Sequence, residues 1–378
     1  MNKIYKVLMC SSYFLLSAAQ AEVTFNGFTS IVGGITTSSD ETLYGYDDSI
    51  DFSPSSLFAI QASSELGNGL NITAQVLSRG DNNWQPEVEW AYITYEANEE
   101  LRILAGRQRV PFYMFSDFLD VSYAYSWITP PAGVYSVVFD TFDGLGSIYS
   151  HSLGEVDFTA HAIYGTHSSD AVLNAEEVAL DFKDIFGAAL TANYDWLTLR
   201  AAYFQAEMNI EFQGLAPLVL GWQQAGFNDI AQQIDISEDT GDFFELGMQV
   251  EYNNFLFISE YTKLTLSDTV FAGQNAFYFM LGKQWDSILA HVTYGEIEQE
   301  KGRLTTGVPT GISLLDQLIN ETNALTDGEK EKSHYVTLGL RWDFHDSAAL
   351  KFEYTRLDDE LDHNNDSGLL RTAIVTVF

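Results

Sequence analysis

Five arginines are the groups best placed to do chemistry in this chain, where 53 acidic residues face only 18 basic ones. Arg79, Arg107, Arg109, Arg341 and Arg371 lie in or at the end of segments of alternating polarity, whereas Asp117 and Asp120 lie in a long aromatic stretch between two such segments. Guanidiniums on one wall, facing carboxylates on a loop, would set up a transverse field across a narrow passage. Such a field orients polar solutes and rejects apolar ones, which offer nothing in exchange for the ordered water they displace. Arg200, Lys351, Asp140 and Asp143 extend the set. The same groups would equally serve as structural pairs that fasten the loop.

Other chemistry is thinly represented. His161 and His291 share the face that carries the arginines, yet no serine near either forms a nucleophile motif, so no catalytic residue is expected and the chain reads as a non-enzyme. The one cysteine, Cys10, falls in the leader. Neither a phosphate-cradling glycine loop nor zinc spacing is present, and no cofactor or resident metal is expected. Asp362 to Gly368 places oxygen ligands at alternate positions, but its glycine comes one place late and the twelfth position is Ala373, which marks a solvated loop rather than a calcium loop.

The elements that must hold these residues are strands. In 243–252, Phe244, Leu246, Met248, Val250 and Tyr252 alternate with Glu245, Gly247, Gln249 and Glu251; 334–344 and 70–79 behave alike. A barrel strand in a bilayer requires this pattern, with one side chain in lipid and the next in the lumen. Sixteen such segments can be counted, near 22–36, 57–66, 70–79, 87–97, 101–109, 143–152, 155–165, 184–194, 197–208, 242–252, 255–264, 275–285, 288–297, 333–344, 348–357 and 368–378. Seven tight polar turns join them in pairs and longer loops separate the pairs. Tyrosine and tryptophan gather near the segment ends (Trp90, Tyr92, Tyr194, Trp196, Tyr252, Tyr294, Trp342, Tyr354), as in an interfacial girdle.

Lys3, Lys6, an apolar run and Ala19-Gln20-Ala21 make residues 1–21 a cleaved signal peptide, leaving 22–378 as one barrel domain. Losing Lys3 and Lys6 takes the formal charge from −35 to −37, which excludes nucleic acid as a partner. An acidic chain this rich in aromatics, at 14%, is folded rather than disordered. Beyond the leader no apolar run is long enough for a transmembrane helix, which leaves a closed barrel as the way to span a membrane. The expected fold is therefore all-β: a transmembrane, antiparallel, up-and-down barrel of sixteen strands, wide enough for an aqueous channel. Its last strand runs from Leu369 to a terminal Phe378.

Residues 110–142 form the third outer loop, too long to lack a role and too aromatic to be disordered or left in water. Folding into the lumen answers both points. Arg107 and Arg109 share a face with Ile103, so either a bulge shifts the alternation or the two sit above the lipid boundary, and their orientation stays open. Two further outer loops, 209–241 and 298–332, contain helix-like apolar spacing at 215–234 and 312–325.

Four segments, G-F-T-S-I-V-G-G (Gly27 to Gly34), A-G-R-Q-R-V-P-F-Y-M-F-S-D-F-L-D (Ala105 to Asp120), A-Y-S-W-I-T-P-P (Ala124 to Pro131) and the final Phe378, together resemble a porin-like family of Gram-negative outer membranes. The resemblance implies a sixteen-stranded, usually trimeric channel for passive diffusion whose third loop narrows the pore. It also implies insertion by the barrel-assembly machinery into a membrane of lipid and lipopolysaccharide. Small hydrophilic solutes and ions are the expected partners. The alternatives are a substrate-selective channel and an outer-membrane barrel hydrolase. Ion preference stays open: the net charge favours cations at the mouth, and an arginine-lined eyelet favours anions.

Overall fold

The computed structural model describes residues 22–39, 41–173 and 176–378; the leader expected at 1–21 lies outside them. Sixteen strands follow one another: β1 (Val23–Thr36), β2 (Leu57–Gly67), β3 (Leu70–Arg79), β4 (Pro86–Glu96), β5 (Leu101–Arg109), β6 (Thr141–Leu153), β7 (Val156–Leu173) and β8 (Glu176–Tyr194) make the first half. The second half comprises β9 (Leu197–Glu211), β10 (Asp239–Tyr252), β11 (Phe255–Ser267), β12 (Gly273–Trp285), β13 (Ile288–Glu300), β14 (Glu331–His345), β15 (Ala348–Asp359) and β16 (Ser367–Val377). Each pairs antiparallel with its sequence neighbours, and β16 returns to β1, so the sheet is a closed barrel without a free edge. At the seam Gly27 and Phe378 exchange backbone hydrogen bonds of 2.8 and 2.9 Å. The Phe378 ring fills the space where a side chain at position 27 would begin.

Alternation decides which face is which. On β10, Phe243, Glu245 and Gly247 are buried while Phe244 and Leu246 are exposed, and β14 repeats the division with Tyr335 and Thr337 against Val336 and Leu338. The outward apolar set is the lipid face. All sixteen expected strands are present, but several continue further at their outer ends; β7 and β8 reach 173 and 176 where alternation ended at 165 and 184. A transmembrane strand needs only about 9–11 residues. Above that height the ladder persists without lipid, and polar cross-strand contacts such as Ser168 Oγ to Asp181 at 2.8 Å replace the apolar face.

The seven tight turns form as read. Asn68, Asp195, Asn253, Asn254 and Asp286 adopt positive φ in them, and Asn98 Oδ1 accepts the backbone N–H groups of Glu100 and Leu101 at 2.9 Å. The two loops with helical spacing carry α1 (Ala216–Gln224), α2 (Asn228–Ile234) and α3 (Ser313–Gly328). Trp222 Nε1 donates to Thr322 Oγ1 at 2.8 Å, which clasps α1 to α3. Among the described residues no helix is long and apolar enough to cross a membrane.

Candidate functional site

The segment between β5 and β6 is bound to the barrel's buried face around most of the circumference. Toward β3–β5, Arg79 and Arg109 reach Asp120 at 3.0 and 2.5 Å. Toward β9 and β11, Arg200 donates to the Pro111 carbonyl, and Glu260 accepts from Met114 N–H at 2.9 Å and from the Tyr135 hydroxyl at 2.5 Å. Gln274 on β12 donates to the Gly133 carbonyl at 2.6 Å, and Trp127 Nε1 donates to Thr293 Oγ1 on β13 at 2.8 Å. On β14–β16, Arg341 holds the carbonyls of Tyr123 and Tyr125, Glu353 accepts from Ile128 N–H at 2.7 Å, and Arg371 donates to Thr129 Oγ1 at 2.9 Å.

Two anchors have marked chemistry. Arg109, 4% exposed, lies between the carboxylates of Glu89, Asp120 and Asp140, whose oxygens gather within 4.8 Å of one another. That is a metal-like donor set, but the guanidinium already supplies the positive charge, so the cluster is complete as an ion-pair network. Burial pushes the Asp120 carboxyl up, and Arg109 and Arg79 outweigh it and hold the group below the ordinary aspartate range. Lys351, 1% exposed, points its ammonium at the carbonyls of Ser122 (2.5 Å), Tyr125 (2.8 Å) and Trp127, with the Tyr125 ring 5.0 Å away. Three acceptors for three donors satisfy an ammonium fully.

Of the residues singled out from sequence, Arg79, Arg109 and Asp120 come together, and Arg341 and Arg371 bind the same segment further along. Arg107 does not join them. It stays on the face of Ile103 and Leu145, 36% exposed, and pairs with Asp143 at 2.7 Å, because the β5–β6 register sets Arg107 directly opposite Asp143. Asp117 is exposed and makes no ion pair among the described residues.

Glu89 was not anticipated. A bulge on β4 pairs Gln75 with Trp90 and Val76 with Val88, which leaves Glu89 as the extra residue and turns it to the buried face. The same irregularity brings Trp90, expected at the membrane interface, within 6.0 Å of the Arg109 guanidinium. Glu245, Glu260 and Glu353, also missed, left a signal: each is an acid on the inward set of an otherwise regular strand.

The two sides of this interior differ in character. Against β8–β10, Phe112 packs on Phe139, Phe204 and Phe243 at ring-centroid distances of 5.5, 5.4 and 4.8 Å. Beside β1–β3 and β16 a polar cavity of about 300 Å³ stays open, bordered by Ser30, Tyr44, Ser56, Arg79, Asp120 and Arg371.

Comparison with known proteins adds the family. Residues 13–368 match the model described as Gram-negative porin. Among solved structures, the chain resembles OmpT of Vibrio cholerae (13% identity, TM-score 0.58, covering 96% of this chain and 99% of that one). OmpF of Salmonella typhi, solved with daunomycin, aligns at 12% identity and TM-score 0.60 over 95% and 98%. An anion-selective porin of Comamonas acidovorans aligns at 12% and 0.58 over 95% and 100%. Identities this low speak to the fold alone, and no curated protein matches the sequence. With a family match over most of its length and a closed sixteen-strand barrel, the chain belongs to the Gram-negative porins, outer-membrane channels for diffusion.

Proposed function

We propose that residues 110–142 are an infolded constriction and that the channel passes small hydrophilic solutes with a preference for cations. The observation that carries this reading is the pairing of the interior arginines. Arg79 and Arg109 share Glu89 and Asp120, and Arg109 also pairs with Asp140; Arg200 lies 3.3 Å from Glu245, Arg341 2.8 Å from Asp343 and Arg371 2.8 Å from Glu353. Guanidiniums bound this way fasten the loop and present little free positive field to a passing ion. The net charge of the barrel without its leader, formally −37, then sets the sign at the narrowest point. The polar cavity beside Tyr44, Arg79 and Arg371 is the route, and Asp81 and Asp120 border it.

This site is built from paired charges and hydrogen-bonded carbonyls that position a loop, which supports a channel without enzymatic activity. A homotrimer is the oligomer we favour, since Vibrio cholerae OmpT has been solved in a trimer form. The lipid face and the terminal Phe378 strand suit lipopolysaccharide-containing membranes and insertion by the barrel-assembly machinery. The test is single-channel recording in planar bilayers with reversal potential measured across a potassium chloride gradient. Conductance in steps of three with a cation-side reversal potential is expected. An anion-side value would sink the charge argument, and an unbroken absence of current from folded barrel would sink the channel.

A further inference from the structure

On the side opposite the polar route, the barrel interior holds an apolar cavity of about 310 Å³. Its walls are inward residues of β8–β11, among them Phe182, Phe204 and Leu266, together with Phe112 and Phe139 from the two ends of the 110–142 segment. Phe139 and Phe182 lie 4.3 Å apart, centroid to centroid. The void is about twice the volume of a ~150 Å³ apolar protein cavity that stays dry and takes up benzene, and it falls in the ordinary range of small-molecule sites, which start near 300 Å³.

One end of the cavity is polar. Gln299 donates to Gln274 Oε1 at 2.7 Å, and Gln274 in turn donates to the Gly133 carbonyl and to Ser136 Oγ. Gln274 thus spends both of its N–H donors, Gln299 spends one of its two, and the Gln299 amide oxygen makes no hydrogen bond among the described residues. Glu329, next to it in the lining, carries a carboxylate whose affinity for protons is raised by burial. Both groups accept hydrogen bonds. We infer that this cavity is a binding site, separate from the polar route, for a small aromatic molecule of one or two rings bearing an O–H or N–H donor at one end. The rings stack among the phenylalanines and the donor meets Gln299 and Glu329. A carboxylated or sulfonated aromatic is disfavoured, because its anion would face Glu329.

The test uses the whole barrel in lipid nanodiscs, with 2-naphthol as fluorescent probe and naphthalene and 2-naphthoate as comparators. Saturable binding of 2-naphthol beyond that of empty nanodiscs is expected, with 2-naphthoate at least tenfold weaker. Ala206→Phe fills the cavity from β9 and Leu266→Trp fills it from β11; each should weaken 2-naphthol at least tenfold while the barrel keeps its heat-modifiable mobility. Glu329→Gln should narrow the gap between 2-naphthol and 2-naphthoate and leave naphthalene unchanged. Binding of equal strength in wild type and both filled variants, or binding that empty nanodiscs reproduce, overturns the inference. Conductance is a separate readout, so a site without current, or current without a site, tells the two proposals apart.

Discussion

The 110–142 segment, the proposed constriction, is held in two different ways, and the two sides of the barrel it touches have different consequences. Against β3–β5 and β14–β16 it is fastened by charge: Asp120 to Arg79 and Arg109, and carbonyls to Arg341 and Lys351. Against β8–β10 it is fastened by rings, with Phe112 at the centre. Ionic fastening fixes geometry at a few points and leaves space between them, which is where the polar cavity lies. Aromatic fastening packs ring on ring, and the cavity beside it is lined mainly by apolar side chains.

The sharpest way to break the charged side is Arg109→Ala. It strands the carboxylates of Glu89, Asp120 and Asp140, and loss of one partner from a buried network costs about 3–5 kcal/mol. Urea unfolding of the lipid-embedded barrel should show that loss, with a larger and noisier single-channel current as the loop detaches. Breaking the aromatic side with Phe112→Ala should cost about 3 kcal/mol by removal of a buried ring. It should raise conductance less than Arg109→Ala does, since the ionic anchors remain; an equal or larger rise would mean that the aromatic anchor holds the segment more firmly than the ionic one. Lys351→Met leaves the carbonyls of Ser122, Tyr125 and Trp127 without their shared donor. A loss of about 2–3 kcal/mol is expected, with more frequent flicker in the current.

Acid should weaken the charged side selectively. The folded Asp120 carboxyl is held below its ordinary value of 3.8, so its contribution is complete above that value and fades as pH falls through the lower folded one. Recordings should therefore be steady from pH 8 to about 4 and grow noisy below, and Asp120→Asn should abolish this acid step. The smallest effect is expected from Arg107→Ala. Its half-exposed pair with Asp143 lies on the outer face, where such pairs contribute about 0–1 kcal/mol, and ion preference should not move.

Much of this fold can be read from alternation because a bilayer imposes it: every strand shows lipid a regular set of apolar residues, and Val336, Leu338 and Leu340 are as clear in the chain as in the barrel. The ends of β7 and β8 were less legible because above the bilayer nothing demands an apolar face. At the site, Arg79 and Asp120 were readable as opposed charges. Glu89 was not, since a bulge leaves no mark in residue type, and the role of Lys351 was not, since its partners are carbonyls that every residue carries. Arg107 and Arg109 look equivalent in sequence, two residues apart on the same parity, yet only Arg109, beyond the last β4–β5 register pair at Arg107, turns inward.

Closure of the sheet has a further consequence. In an open sheet a misplaced bulge can be relieved by sliding an edge strand, but on a ring the offsets between successive strands must sum to one fixed total. The extra residue at Glu89 is therefore balanced around the circumference, and β4 cannot lose it without a compensating shift in at least one other register. A single carboxylate is thus placed with a tolerance set by sixteen strands together, so a register error on the far wall would be felt at Arg109 as a charge out of place.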